Sequence, residues 1–288
     1  MLKAHEFKPA IPPNILLRSE TYYKTDNLKK VSRLPTQDEL PCDDGVPMET
    51  GRHKSQMDLL IYPLRPWLAK HRGGYVGGNM FVYFSPKQVR NEDFKGPDVF
   101  VAHSVSSRRE RKSWVVWEEG KSPDIVIELL SESTAKTDKS KKKLIYQNKL
   151  KVPEYYWFDP FNAKDWTGFR LEQGIYQKMP IDSQNRIISQ ELGLALILWH
   201  GFFDEIEATW LRWATLEGKV LPTPQEMAEI EKQQADVEKQ RAEVEKQRAE
   251  VEKQRAEVEK QRAEAAIAEA KAAATEIVRL KALLAEKG

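Results

Sequence analysis

Cysteine is nearly absent. Cys42 is the only one in 288 residues, which excludes an intrachain disulfide and any zinc site built from several thiolates. The five histidines show no close pairing, which argues against an imidazole zinc site as well. Long apolar runs are missing too. None reaches the eighteen or so residues needed to cross a bilayer, and the opening MLKAHEFKPAIPPN has no apolar core of signal-peptide length. A cytoplasmic chain with no membrane partner is the expectation. Nor is there a strong charge of one sign: the net is +2, and residues 225–288 hold 13 Lys and Arg against 15 Asp and Glu, leaving the remainder at +4. That balance is compatible with nucleic acid without pointing to it.

What is present divides the chain into three parts. Residues 1–47 carry Pro9, Pro12, Pro13, Pro35, Pro41 and Pro47 with no sustained period, and read as an irregular arm. Residues 48–224 read as one folded domain. Met57, Leu60, Ile61, Leu64 and Leu68 recur at helical spacing, and Pro63 and Pro66 should bend or end that helix near Tyr62. Short strands are expected over 79–85, 99–102, 113–120 and 125–130, then a helix over 133–150, a strand over 154–158 and a hairpin formed by 166–171 and 174–179. The Leu-rich stretch 192–198 follows, and the TWLRWAT segment reads as a closing helix. This order suits a mixed α/β sheet flanked by helices. From 225 to 288 the chain is repetitive: VEKQRAE occurs four times from Val237 to Glu264, preceded by a degenerate IEKQQAD.

The chemistry concentrates between Gly96 and Pro160. Ile125 to Leu130 is a doubly buried strand by composition, yet Glu128 sits in its middle. A buried carboxylate costs several kcal/mol or more unless it is paired, neutralised or metal-bound, so a cation must face it. Asp98 opens the preceding strand-like run. On the helix that follows, Asp138, Lys142 and Tyr146 recur four apart and share one face. Two carboxylates can hold Mg²⁺ or Mn²⁺, and the ammonium can orient a water or stabilise charge at phosphorus. Glu49 and His53, four apart at the start of the first helix, are second-line candidates, as are Asp138 and Tyr146. Arg108, Arg109, Arg111 and Lys112 form a basic loop able to contact backbone phosphates. A second Pro-Asp pair ends in Asp124, which reads as structural.

The order Pro-Asp, then VIELLS, then Asp-x3-Lys-x3-Tyr, then VPEYYWFDP resembles the Uma2 family (DUF820) of the PD-(D/E)XK nuclease superfamily. The resemblance implies a restriction-endonuclease-like mixed sheet, followed here by a long C-terminal helix with heptad repeats. It also implies a Mg²⁺-dependent (or Mn²⁺-dependent) DNA endonuclease, with Asp98 and Glu128 as metal ligands and Lys142 as the catalytic lysine. Where the superfamily signature has Lys two residues after the Glu, this chain has Leu130. The resemblance implies that the lysine has moved to the next helix. The alternative from another class is a catalytically inactive nuclease fold serving as an interaction or nucleic-acid-binding module; a metal-dependent hydrolase of other substrates is a third.

The tail has Ile230, Val237, Val244, Val251 and Val258 at one heptad position and Gln at the other seam position. A stable coiled coil wants both apolar. It therefore reads as a long solvated helix, with a weak coiled coil, and a homodimer or pairing with another helix, left open.

Overall fold

The computed structural model describes residues 34–42, 50–71, 73–85 and 94–285. Glu49 lies outside the described residues, so the expectation for it stays where the sequence left it. Helix α1 (Gly51–Ile61) begins at Thr50, whose hydroxyl accepts the His53 N–H at 3.2 Å, and Pro63 separates it from α2 (Leu64–Lys70). In chain order there follow β1 (Gly74–Gly78), β2 (Val82–Tyr83), β3 (Phe94–Lys95), β4 (Val99–His103), β5 (Trp114–Val115), the single turn α3 (Val116–Glu119) and β6 (Ile125–Leu129). Helix α4 runs through Ala135–Thr137, Asp138–Lys142, Lys143–Ile145 and Tyr146–Leu150, the second and fourth of these wound as π-helix. Then come β7 (Glu154–Phe158), β8 (Trp166–Glu172), β9 (Ile175–Lys178), β10 (Arg186–Ser189), β11 (Leu194–Phe203), β12 (Ile206–Ala214) and the tail helix α5 (Pro224–Ala285).

The chain divides into two compact units. The larger comprises residues 47–79, 97–109 and 122–288. Its main sheet has the order β1-β4-β6-β7-β8-β9, with β6 and β7 parallel and every other pair antiparallel. The parallel pair needs a crossover, which α4 supplies. A second sheet, β10-β11-β12, is an antiparallel meander. Met57, Leu60, Ile61, Leu64 and Leu68 form one buried stripe of α1 and α2 against Val76, Val99, Val101, Ile125, Ile127 and Leu129 of the main sheet. Close approach explains the glycines of β1: a Cβ at Gly78 would stand 2.6 Å from the Asp98 carbonyl oxygen and 2.6 Å from Ile61.

The smaller unit comprises residues 1–46, 80–96 and 110–121. Among its described residues, β2 pairs with β3 antiparallel and with β5 parallel. Leu40, Phe81, Tyr83 and Val115 make its core. The Arg111 guanidinium is buried there and clamped by Glu119, with 2.9 Å contacts to each carboxylate oxygen.

Three expectations change. The first strand is the glycine-rich Gly74–Gly78, with only Val82–Tyr83 extended in the stretch that looked like it. The expected strand over 113–120 is extended only at Trp114–Val115; Val116–Glu119 then forms a helical turn that Gly120 ends at φ 76°. The TWLRWAT segment is strand β12, not a helix. Leu211 and Trp213 face the main core while Ala208 and Trp210 pack with Leu59 on the other side. A strand covered on both faces loses its alternation and cannot be told from a helix by period.

The tail is joined to the domain by a buried ion pair. Thr223 and Glu226 form a capping box, with Glu226 accepting the Thr223 N–H at 2.7 Å and its own N–H reaching the Thr223 hydroxyl at 3.1 Å. Glu226 also binds Arg212 of β12 through contacts of 2.9 and 2.6 Å, and the Arg212 side chain is 2% exposed. The first turn of α5 thus completes the domain, so a chain cut after Pro224 strands a buried guanidinium. Glu226→Ala should destabilise the fold by about 2–3 kcal/mol, somewhat less than for a fully buried pair because Glu226 itself is partly exposed. Thermal melting checks this, with truncation after residue 229 melting like the full domain and truncation after Pro224 melting lower.

Candidate active site

Antiparallel pairing of β4 and β6 sets Val99 opposite Ile127, and the same register carried one residue further brings Asp98 opposite Glu128. The Leu129 N–H, freed at the end of the ladder, donates to the Asp98 carboxylate at 2.7 Å. Glu128 is fully buried. Its cation is Lys142, whose Nζ lies 3.1 Å from Glu128 Oε2 and 2.9 Å from Asp138 Oδ1. The Tyr146 hydroxyl donates to Glu128 Oε1 at 2.7 Å. The five residues Asp98, Glu128, Asp138, Lys142 and Tyr146 therefore meet in one place.

The winding of α4 makes that convergence easier. In a uniform α-helix, residues four apart drift round the axis by about 40° per step. The wider π turns at Asp138–Lys142 and Tyr146–Leu150 take up part of this drift. Such turns recur at functional sites. Tyr155 of β7, which sequence reasoning quoted but gave no role, anchors the helix by donating to the Asp138 carbonyl at 2.9 Å and packing against Tyr146 with the rings tilted, centres 5.3 Å apart. Its signal was the aromatic run of VPEYYWFDP. Of the neighbouring lysines, Lys141 is exposed, and Lys143 Nζ lies 3.5 Å over the Phe169 ring.

Burial dominates the electrostatics. It pushes the Glu128 carboxyl up to about 8, with Lys142 opposing and Asp98 and Asp138 reinforcing the shift. Asp98 is pushed up to about 6, again chiefly by burial, against the Leu129 N–H and Lys142. Burial alone would lower the Lys142 ammonium, but Glu128, Asp138 and Asp98 hold it above its usual range. Three carboxylates thus surround one ammonium, and two of them hold protons more tightly than free acids do. This is a place where added positive charge is favourable. Among the described residues no three His, Cys, Asp or Glu form a ready-made cage; Asp98 and Glu128 offer a pair of hard oxygen donors.

His53 is buried, with its two ring nitrogens 2.8 Å from the Thr50 hydroxyl and 3.2 Å from the Leu130 carbonyl oxygen, so it touches the strand carrying Glu128 through backbone. Arg108 and Arg109 are exposed in the larger unit. Arg111 leaves the set of phosphate-facing cations, because its guanidinium is buried against Glu119 in the smaller unit, and Lys112 pairs with Asp38 at 2.8 Å. Asp124 accepts the His103 N–H at 2.6 Å, the structural role expected of it.

Because folded Glu128 holds its proton far above the unfolded value near 4.5, its stabilising contribution is complete below that value and is lost as pH rises through about 8. In chelator, the melting temperature of the wild type should fall between about pH 5 and pH 9. Glu128→Gln should flatten that slope, as followed by thermal melting across the range.

The protein translocase subunit SecA of Malacoplasma penetrans (strain HF-2) is 24% identical over 177 residues, 57% of this chain, but the match spans only 12% of that relative's length. A solved structure, described as "a putative nuclease belonging to DUF820" from Anabaena variabilis ATCC 29413, is 17% identical and covers 55% of this chain and 90% of its own, with a TM-score of 0.39. The Uma2 family model, described as "Putative restriction endonuclease", matches residues 37–201, more than half of the chain and every carboxylate of the site, and the chain belongs to that family.

Proposed function

We propose that this chain is a Mg²⁺-dependent or Mn²⁺-dependent endonuclease that hydrolyses phosphodiester bonds in DNA. The observation that carries this reading is Lys142 Nζ standing 3.1 Å from Glu128 and 2.9 Å from Asp138, with Asp98 across the strand pair. Asp98 and Glu128 would hold the ion, whose hard-oxygen preference and retained waters match a two-carboxylate site. When bound, it supplies charge neutralisation at the phosphate and a more acidic water. Lys142, held in its charged form by the carboxylates around it, would orient the attacking water or stabilise charge on the phosphate oxygens. Tyr146 and the Leu129 N–H fix the two carboxylates in direction. Arg108 and Arg109 can contact backbone phosphates without reading sequence.

Incubation with supercoiled, linear and single-stranded DNA, with Mg²⁺ or Mn²⁺ and with chelator, tests the reading. Metal-dependent cleavage is expected, and Asp98→Ala and Glu128→Ala should each lower its rate by about 10²-fold or more. No cleavage of any substrate, or cleavage indifferent to chelator, overturns it and favours the inactive interaction module. At saturating DNA, Lys142→Met should lose the rate to a similar degree, while Lys141→Met and Lys143→Met should stay within a few-fold of wild type and chiefly alter the salt dependence of binding.

A further inference from the structure

The tail helix presents a seam whose charges are self-complementary. Val237, Val244, Val251 and Val258 lie seven apart along α5 and are each 47–49% exposed, so the described chain leaves half of every one of these side chains in water. With these valines at heptad position a, Gln240, Gln247, Gln254 and Gln261 fall at d. Arg241, Arg248, Arg255 and Arg262 fall at e, and Asp236, Glu243, Glu250 and Glu257 at g. From Val237 to Glu264 every e residue is cationic and every g residue anionic.

We propose that two copies of this chain pair through the tail as a parallel, in-register coiled coil. In a parallel pair, each g residue meets the e residue of the following heptad on the other helix. Asp236 then faces Arg241 of the second copy, and Glu243 faces its Arg248, Glu250 its Arg255 and Glu257 its Arg262. The same four contacts recur on the opposite side of the seam. An antiparallel pair sets g against g and e against e, placing Glu beside Glu and Arg beside Arg. Orientation is thus decided by charge. β-Branched Val at a favours two strands in the parallel arrangement. Gln at d weakens the seam but lets facing amides hydrogen-bond, so association is concentration-dependent. Register follows from overlap: a slip of one heptad leaves one a-position residue at each end without a partner and reduces the acid–Arg contacts from eight to seven. Because Glu226 is clamped to Arg212 at the head of α5, parallel pairing brings both domain junctions to one end of the seam. None of this depends on the chemistry of the carboxylate site.

Sedimentation of the full chain over a concentration series should show a monomer–dimer equilibrium. Two variants test the charges: an acidic chain with Arg241, Arg248, Arg255 and Arg262 changed to Glu, and a basic chain with Asp236, Glu243, Glu250 and Glu257 changed to Arg. Each alone should self-associate at least about ten-fold more weakly than wild type, and a 1:1 mixture should recover a dimer. Circular dichroism of each variant establishes that its helix is retained. In a Cys42→Ser background, Val237→Cys should cross-link to itself under mild oxidation, which a parallel seam allows and an antiparallel one prevents. A wild type that is monomeric throughout, charge variants that dimerise as before, or absence of the Val237→Cys cross-link overturns the proposal.

Discussion

One buried carboxylate sets the terms for the rest of the domain. Glu128 occupies the centre of an otherwise apolar strand, where leaving a charge unpaired would cost more than a typical domain can spare. The fold answers by laying α4 across β6 so that Lys142 and Tyr146 reach both of its oxygens. That requirement fixes the rotation of α4, and the Tyr155 hydroxyl on the Asp138 carbonyl holds it there. Strand order, helix winding and side-chain identity on three elements all serve the same contact.

A second buried glutamate on the adjoining strand shows how environment separates structure from chemistry. Glu154 of β7 accepts the Gln190 N–H at 2.8 Å, the Tyr156 hydroxyl at 2.8 Å and the Ser189 hydroxyl at 2.5 Å, tying the β10 region to the main sheet. Hydroxyl and backbone N–H donors meet its oxygens, the Arg170 guanidinium stands 3.7 Å from Oε1, and no other carboxylate is among these partners. Glu128 has two donors, one of them an ammonium, and two further carboxylates near enough to disturb its protonation. Saturation by donors, with no second carboxylate beside it, makes a brace. Crowding of like charge makes a place where a proton or a cation can be exchanged.

Much of this was legible in the sequence, for local reasons. A Glu inside a β-branched run, a helix with polar residues four apart, and prolines beside an apolar stripe all act through neighbours a few residues away. Strand Glu154–Phe158, the hairpin after it, the end of α1 at Pro63 and the face of α4 that turns Lys142 toward Glu128 were accessible on those grounds. The family resemblance placed Asp98 with Glu128, and the register of β4 on β6 supplies the reason.

What escaped the sequence depends on contacts distant along the chain. TWLRWAT is a strand because both its faces are covered, by Leu59 of α1 on one side and the main core on the other. Arg111 reads as a phosphate contact among neighbouring cations until Glu119 folds back and buries it. The tail reads as separable after Pro224, yet Glu226 belongs to the domain because Arg212 is buried within reach. Sequence by itself determined the local elements and the residue types that chemistry needs, since propensity, period and capping are short-range. Only the tertiary structure decided which charges are paired and which remain available, because pairing depends on residues that the fold, rather than the chain, makes neighbours.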